Sequence, residues 1–128
     1  MNLRSPLAVV LGAGSAGHGV GHWWAQRVSA LALVPLTLWF VISLIGVPLN
    51  DYAAVTIWIG AGWNPVWLAL LLVAMCVHSR LGVQVVIEDY VHGAALKLAL
   101  LLLNGAVHAV LLAAGIYALL RVALGSGP

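Results

Sequence analysis

A single histidine, His78, stands deep within a run of apolar residues, and the polar pair Asp89-Tyr90 follows it. An imidazole can serve as an axial ligand of a heme iron. A tyrosine hydroxyl can donate a hydrogen bond to a quinone carbonyl, and a nearby carboxylate can orient it or pass protons. Groups of this kind are expensive inside a membrane and usually functional there. The pattern therefore points to a cofactor and to a lipid-soluble substrate.

Helical phase relates these residues to one another. At 100° per residue, His78 shares a face with Asp89, which lies within about 20° of it, and the small residues Ala74 and Gly82 lie one turn away on each side. That leaves room for a flat macrocycle. The alternative is a histidine that only hydrogen-bonds a neighbouring helix, with Gly82 allowing close helix packing. For Asp89-Tyr90 the alternative is an interfacial tyrosine anchor beside a solvated acid.

The elements that must carry these residues follow from the composition. The chain has 128 residues, 64% of them hydrophobic and 6% charged, against about 25% charged in soluble domains. No Asp, Glu, Lys or Arg occurs in residues 28–50, 52–79 or 98–120, and a membrane-spanning helix needs about 20 residues. The net charge of +2 is scattered, which does not indicate a nucleic-acid surface.

These runs predict an all-α membrane protein with three transmembrane helices, at about residues 23–47, 65–86 and 97–120. They form one domain over residues 22–124, between a flexible glycine-rich leader at 1–21 and a tail at 125–128. Pro35 lies inside the first helix, which membrane helices tolerate, and Asn64-Pro65 is typical of a helix start, with Asn64 as cap. Residues 49–63 are expected to form an interfacial connection, and residues 87–96 the second loop.

Orientation is predicted from the basic residues. Arg4, Arg27, Arg80 and Lys97 belong to one side and Arg121 to the other. The positive-inside rule then places the N-terminus and the loop after Tyr90 in the cytoplasm, and the C-terminus outside.

The segment around His78 resembles a known family. Residues 78–93, HSRLGVQVVIEDYVHG, are similar to the signature of the small hydrophobic membrane anchor subunit of succinate dehydrogenase, respiratory Complex II. The shared spacing is H-x3-G-x6-D-Y-V. Residues 22–28, HWWAQRV, also resemble that family, particularly its alphaproteobacterial members. The resemblance covers nearly the whole chain.

The resemblance implies a membrane anchor of a succinate:quinone oxidoreductase. It implies that His78 is one axial ligand of heme b, with the second ligand from the other anchor subunit of the complex. It implies that Tyr90 hydrogen-bonds ubiquinone, supported by Asp89, and that His22 and Arg27 lie near the heme propionates. Arg80 is outside the shared pattern, and we expect it to snorkel or to meet a partner chain.

The same resemblance implies partners and a location. The iron–sulfur and flavoprotein subunits would carry succinate oxidation, since the single cysteine of this chain cannot hold a cluster that needs four. The expected location is the bacterial inner membrane, ahead of the mitochondrial one. The alternatives are the anchor of a fumarate reductase, a small transporter subunit in which His78 and His108 relay protons, and an anchor without a redox role. For His108 itself, a hydrogen-bonded packing role is favoured over metal ligation.

Overall fold

Four helices make up the part of the chain that the structure, a computed structural model, describes, which is residues 16–125. They are α1 (Ala16–Ser43), α2 (Tyr52–Gly60), α3 (Asn64–Tyr90) and α4 (Ala94–Ala123). Three stretches are long and apolar enough to cross a membrane: Val20–Ser43, Asn64–Tyr90 and Ala94–Ala123. The prediction of an all-α membrane protein with three spanning helices is confirmed.

The helix ends differ from the predicted ones. Helix α1 begins at Ala16 and ends at Ser43, so residues 16–21 of the expected leader are helical, whereas residues 1–15 lie outside the described range. The early end of α1 is followed by Gly46, whose φ of 89° lies in the left-handed region that favours glycine. Helix α3 continues to Tyr90 and α4 begins at Ala94, which leaves a connection of residues 91–93 instead of 87–96.

The connection expected over residues 49–63 is wrong in one respect, because it contains helix α2. The Asp51 carboxylate accepts a hydrogen bond from the Ala53 amide at 2.9 Å, which satisfies one of the free N–H groups at a helix start. The prediction that Asn64 caps α3 is also wrong. Its side-chain amide donates to the Trp58 carbonyl at 2.7 Å, and so it joins α2 to α3 instead.

Helix α3 is the centre of the bundle. It packs against α1 on one side and α4 on the other, while within residues 16–125 no Cα atom of α1 comes within 8 Å of one in α4. Among the residues whose burial is described, only Leu36, Ser29 and Asn104 are buried. Apolar side chains instead cover the outside, which suits lipid or partner helices because lipid tails are as apolar as leucine.

Aromatic rings hold one end of the bundle together. Trp39 of α1 lies 6.4 Å from Trp58 of α2 and 5.8 Å from Trp67 of α3, measured between ring centroids. Phe40 meets Trp58 edge-on at 6.1 Å. Tryptophan favours the headgroup level of a membrane, so this cluster marks the interface at the end of the bundle opposite Tyr90.

At the other end, Lys97 ties the start of α4 to the end of α3. Its ammonium group donates to the Glu88 carbonyl at 2.9 Å, one of the last carbonyls of α3, which have no partner within the helix. The Val91 amide donates to the Ile87 carbonyl at 3.0 Å. These bonds fix the helix end that carries Asp89 and Tyr90.

Gly115 of α4 leaves room for the Leu72 side chain of α3. A Cβ atom at this position would lie 2.6 Å from Leu72 Cδ2. We expect Gly115→Leu to force the two helices apart and to lower the free energy of unfolding by about 1–3 kcal/mol, as overpacking does. Denaturant titration in detergent micelles, followed by circular dichroism, measures this change.

The matched control is Gly21→Leu, because Gly21 is also helical and a Cβ there would meet nothing within 4 Å. Equal losses of stability in the two variants would contradict the close approach at Gly115.

Candidate functional site

His78 is held by a hydrogen bond across the α1–α3 junction. Its Nδ1 atom lies 3.1 Å from the Ser29 hydroxyl oxygen. That hydroxyl donates its proton to the Gln26 carbonyl at 3.0 Å. A hydroxyl has only one proton to donate, so both contacts are made together only when its oxygen accepts from His78 Nδ1, which then carries a hydrogen.

This tautomer leaves the other ring nitrogen of His78 as an acceptor. In neutral imidazole one nitrogen carries the hydrogen and the other a lone pair. Nε2 of His78 makes no hydrogen bond to any of the described residues. The imidazole is half-buried. Its Nε2 atom has a lone pair that no described residue uses, and a histidine needs one such lone pair to bind a metal ion.

Two hollows lie along the same α1–α3 junction, one on each side of the level of His78. The first is an apolar groove of ≈ 570 Å³ toward the start of α3, and among its walls are Ala25, Ala32, Pro35, Trp67, Leu70, Ala74 and Val77. Ser29 also contributes to it. The small side chains there, Ala74 among them, leave space beside the helix backbone. An apolar ring system would replace lipid in this groove without stranding any polar group.

The second hollow, of ≈ 470 Å³, lies at the end of the junction nearer Tyr90, and we call it the polar cleft because polar side chains interrupt a mainly apolar lining. It is lined by His22, Trp23, Gln26, Leu81, Gln84, Val85 and Glu88. Gln26 Nε2 faces Gly82, 3.8 Å from the position that a Cβ would take, and the buried Gln26 Oε1 has no hydrogen-bond partner among residues 16–125. This cleft therefore offers polar groups to a ligand.

The two residues predicted near the propionates occupy different positions at the start of α1. His22 lines the polar cleft itself. Arg27 is exposed, and its guanidinium lies 5.2 Å from the centroid of the Trp23 ring, a cation–π contact. Trp23 also lines the cleft, so Arg27 reaches the site through this ring and not directly.

A second polar contact joins α3 to α4. The buried Asn104 amide donates to the Arg80 carbonyl at 3.0 Å. His108 donates from Nδ1 to the backbone carbonyl of Asn104 at 2.9 Å. Its Nε2 atom accepts from the Ser79 hydroxyl, 3.1 Å away. Both nitrogens of His108 are thus occupied, which agrees with the packing role favoured for it and leaves no donor for a metal.

Arg80 belongs to this second contact as well. Its Nη2 atom lies 3.8 Å from where a Cβ of Gly105 would be, so its side chain rests on α4. The absence of a side chain at Gly105 makes room for the guanidinium. Arg80 is exposed, so its snorkelling or its meeting with a partner chain stays a prediction.

Asp89 and Tyr90 are the last two residues of α3. Both are exposed, Tyr90 to 79%. The helix is continuous from His78, so the predicted sharing of a face between His78 and Asp89 holds, at roughly 16 Å along the axis. The structure therefore does not bring His78 and Tyr90 together; they occupy separate positions, one in the middle of α3 and one at its end.

Sequence reasoning missed Ser29 and Gln26 as site residues. The only signal was that both residues lie close to Arg27. Ser29 itself did not indicate a partner on α3, because a serine in an apolar helix commonly bonds its hydroxyl to a nearby carbonyl of the same helix. Which serine of α1 faces His78 depends on how α1 and α3 are aligned, and no residue pattern within either helix fixes that alignment.

Comparison with known proteins gives a consistent result. The family described as succinate dehydrogenase/fumarate reductase transmembrane subunit matches residues 1–118. The succinate dehydrogenase hydrophobic membrane anchor subunit of Paracoccus denitrificans is 33% identical over an alignment 132 residues long, which covers 98% of this chain and 97% of that protein.

Two further relatives agree. The protein of the same description from Rickettsia bellii is 36% identical over 93 residues, covering 70% of this chain and 72% of its own length. A succinate dehydrogenase membrane anchor subunit from Reclinomonas americana is 30% identical over 79 residues, covering 59% of this chain and 65% of its own. No solved structure matches the chain significantly.

Proposed function

This chain belongs to the family of succinate dehydrogenase/fumarate reductase transmembrane subunits, and on that premise we propose that it anchors a succinate:quinone oxidoreductase in the membrane. In this role it ligates heme b through His78 and contributes Tyr90, with Asp89, to the site of ubiquinone reduction. The observation that carries the proposal is that Nε2 of His78 bonds to none of the described residues, while the Ser29 that holds its Nδ1 also lines an apolar groove.

The residues present fit a heme. Its ring system is apolar and its propionates are carboxylates, so it needs one apolar and one polar neighbourhood. The groove beside Ala74 would supply the first, and His22 and Gln26 of the cleft would supply the second. The Glu88 carboxylate in the same cleft accepts a hydrogen bond from Gln84 at 2.7 Å. Arg27, stacked on the cleft residue Trp23, adds a positive charge nearby. Heme b, when bound, supplies a one-electron redox centre.

One axial ligand comes from this chain. Within the described residues, no group of three or more His, Cys, Asp or Glu side chains is arranged to hold a metal, and His108 has both nitrogens occupied. We propose that the second ligand comes from a partner chain, the other membrane anchor subunit of the complex. Succinate oxidation belongs to the flavoprotein and iron–sulfur subunits, since the one cysteine here cannot hold a cluster.

Tyr90 suits a lipid-soluble substrate because it ends a membrane-spanning helix and exposes most of its side chain. Its hydroxyl can donate to a quinone carbonyl, and the adjacent Asp89 carboxylate can support proton delivery. On the positive-inside rule this end faces the cytoplasm and the C-terminus lies outside. The location we propose is the bacterial inner membrane.

The proton-relay alternative receives no support from the hydrogen bonds. His78 bonds toward α1, while His108 bonds toward Ser79 and its own helix. Within residues 16–125 no hydrogen bond joins the two histidines. A fumarate reductase anchor would have the same groups, because the direction of electron flow is decided by the catalytic partner chains.

We expect His78→Ala to remove the low-spin b-type heme spectrum from the complex purified with its partner subunits, because the iron loses one axial ligand. Reduced-minus-oxidised optical spectra and electron paramagnetic resonance measure this loss. The matched control is His108→Ala, an intramembrane histidine whose two nitrogens are already bonded, and it retains the spectrum. A low-spin spectrum unchanged in His78→Ala would contradict the ligand assignment.

For Tyr90→Phe, we expect ubiquinone reduction by the complex to fall on the order of 10²-fold, the usual effect of losing a positioned proton donor. Succinate oxidation with a water-soluble dye as acceptor stays at the wild-type rate, since Tyr90 lies outside the catalytic subunits. Tyr52→Phe is the control, because Tyr52 is also exposed but begins α2 at the opposite end of the bundle. Full quinone reduction in Tyr90→Phe would refute this site.

A further inference from the structure

We infer that Ser29 is the positioning residue of the heme ligand: its hydroxyl selects which nitrogen of His78 binds iron and helps to set the midpoint potential of the heme. This inference rests on the proposed function, in which His78 is that ligand. Ser29 lies on α1, whereas His78 lies on α3. The serine hydroxyl contacts Nδ1 of the imidazole and not Nε2, the nitrogen proposed to bind iron. Nothing in the sequence of α3 supplies this contact.

One arrangement makes both hydrogen bonds of Ser29 at once. The backbone carbonyl of Gln26 can only accept, so in this arrangement the Ser29 hydroxyl donates to it, at 3.0 Å. The oxygen then has lone pairs but no further proton, and the His78 Nδ1 atom 3.1 Å away must be the donor. If the hydroxyl turned its proton toward Nδ1 instead, it would suit the other tautomer but would give up its bond to Gln26.

Burial makes this selection firm. Ser29 is only 6% exposed, and it lies at a helix junction in the hydrocarbon level of the bundle, where water does not replace a lost partner. An Nδ1–H without the Ser29 oxygen would be an unsatisfied donor. A flipped ring, presenting Nδ1 to the iron, would lose the same bond. The serine thus holds both the tautomer and the orientation of the ring.

The bond also changes what His78 offers to a metal. An acceptor on the distal N–H of a ligating histidine increases the basicity of the coordinating nitrogen, and losing such a partner typically weakens metal binding 10–100-fold. A more basic ligand stabilises ferric over ferrous iron. Removal of the Ser29 hydroxyl should therefore raise the midpoint potential of the heme. Each tenfold selective loss of ferric binding corresponds to about 59 mV for one electron.

The test is a redox titration of the heme in the complex purified with its partner subunits, with the electron paramagnetic resonance spectrum of the ferric heme as second readout. We expect Ser29→Ala to raise the potential and shift the g-values, and to lower heme retention during detergent washing about tenfold. Ser29→Thr keeps a hydroxyl that can bond to the same backbone carbonyl. We therefore expect this variant to have the wild-type potential, g-values and heme retention.

Two serines of this chain serve as matched controls. Ser43 makes the same kind of bond to a backbone carbonyl, to Phe40 at 2.9 Å, without a histidine beside it. Ser79 bonds a histidine, but that histidine is His108. Ser43→Ala and Ser79→Ala should leave potential and g-values unchanged. A shift in either control as large as that in Ser29→Ala would overturn the inference, because the effect would then be general loosening.

The result that overturns the inference directly is an unchanged potential and unchanged g-values in Ser29→Ala. If this variant does not assemble, the pair Ser29→Thr and Ser29→Val decides, since the two side chains share a shape and differ in the hydroxyl; equal potentials would overturn it. Failure of the proposed function is distinguishable. In that case the wild-type complex lacks a b-type heme, or His78→Ala leaves its spectrum intact.

Discussion

Hydrogen bonding of the polar groups on α3 is the constraint on which the rest of the structure depends. In hydrocarbon no water can satisfy a polar side chain, and α3 carries His78, Ser79 and Arg80 in consecutive positions. Each side of α3 has hydrogen-bond partners on a neighbouring helix. On the α1 side, Ser29 bonds His78. On the α4 side, His108 bonds Ser79 and Asn104 bonds the backbone carbonyl of Arg80. Two of the three buried residues, Ser29 and Asn104, are these partners.

This arrangement reverses the usual division between interior and surface. The helix junctions hold the polar contacts, while leucine, valine and isoleucine cover the outside. A bundle in which no Cα atoms of α1 and α4 come within 8 Å of each other over the described residues leaves both faces of α3 partly open. The groove beside Ala74, whose walls include the Ser29 that bonds His78, lies on such a face. Under the proposed function, the chain would supply half of a heme site and work with a second membrane subunit.

Much of this could be read from the sequence, for physical reasons. The three charge-free runs determine the number of spans, and the phase from His78 to Asp89 needs only a continuous helix, which α3 is. Helix ends were less predictable. Helix α2 begins at the Asp51 cap. An aspartate predicts a helix start only where the residues that follow it form a helix, and this short apolar segment did not indicate one. Ser29 could not be identified, because its role depends on the packing of two distant helices. The roles of His78, His22, Arg27, Asp89 and Tyr90 remain proposals that rest on family resemblance and on the site described.

The most direct measurement is a high-resolution cryo-electron microscopy structure of the complex, purified from the membrane through this chain together with its partner subunits. We predict a heme at the α1–α3 face with its iron bonded to Nε2 of His78, a second ligand from another chain, and Nδ1 still within hydrogen-bond distance of the Ser29 oxygen. An iron bonded through Nδ1, a heme ligated without His78, or no heme in the assembled complex would contradict this prediction.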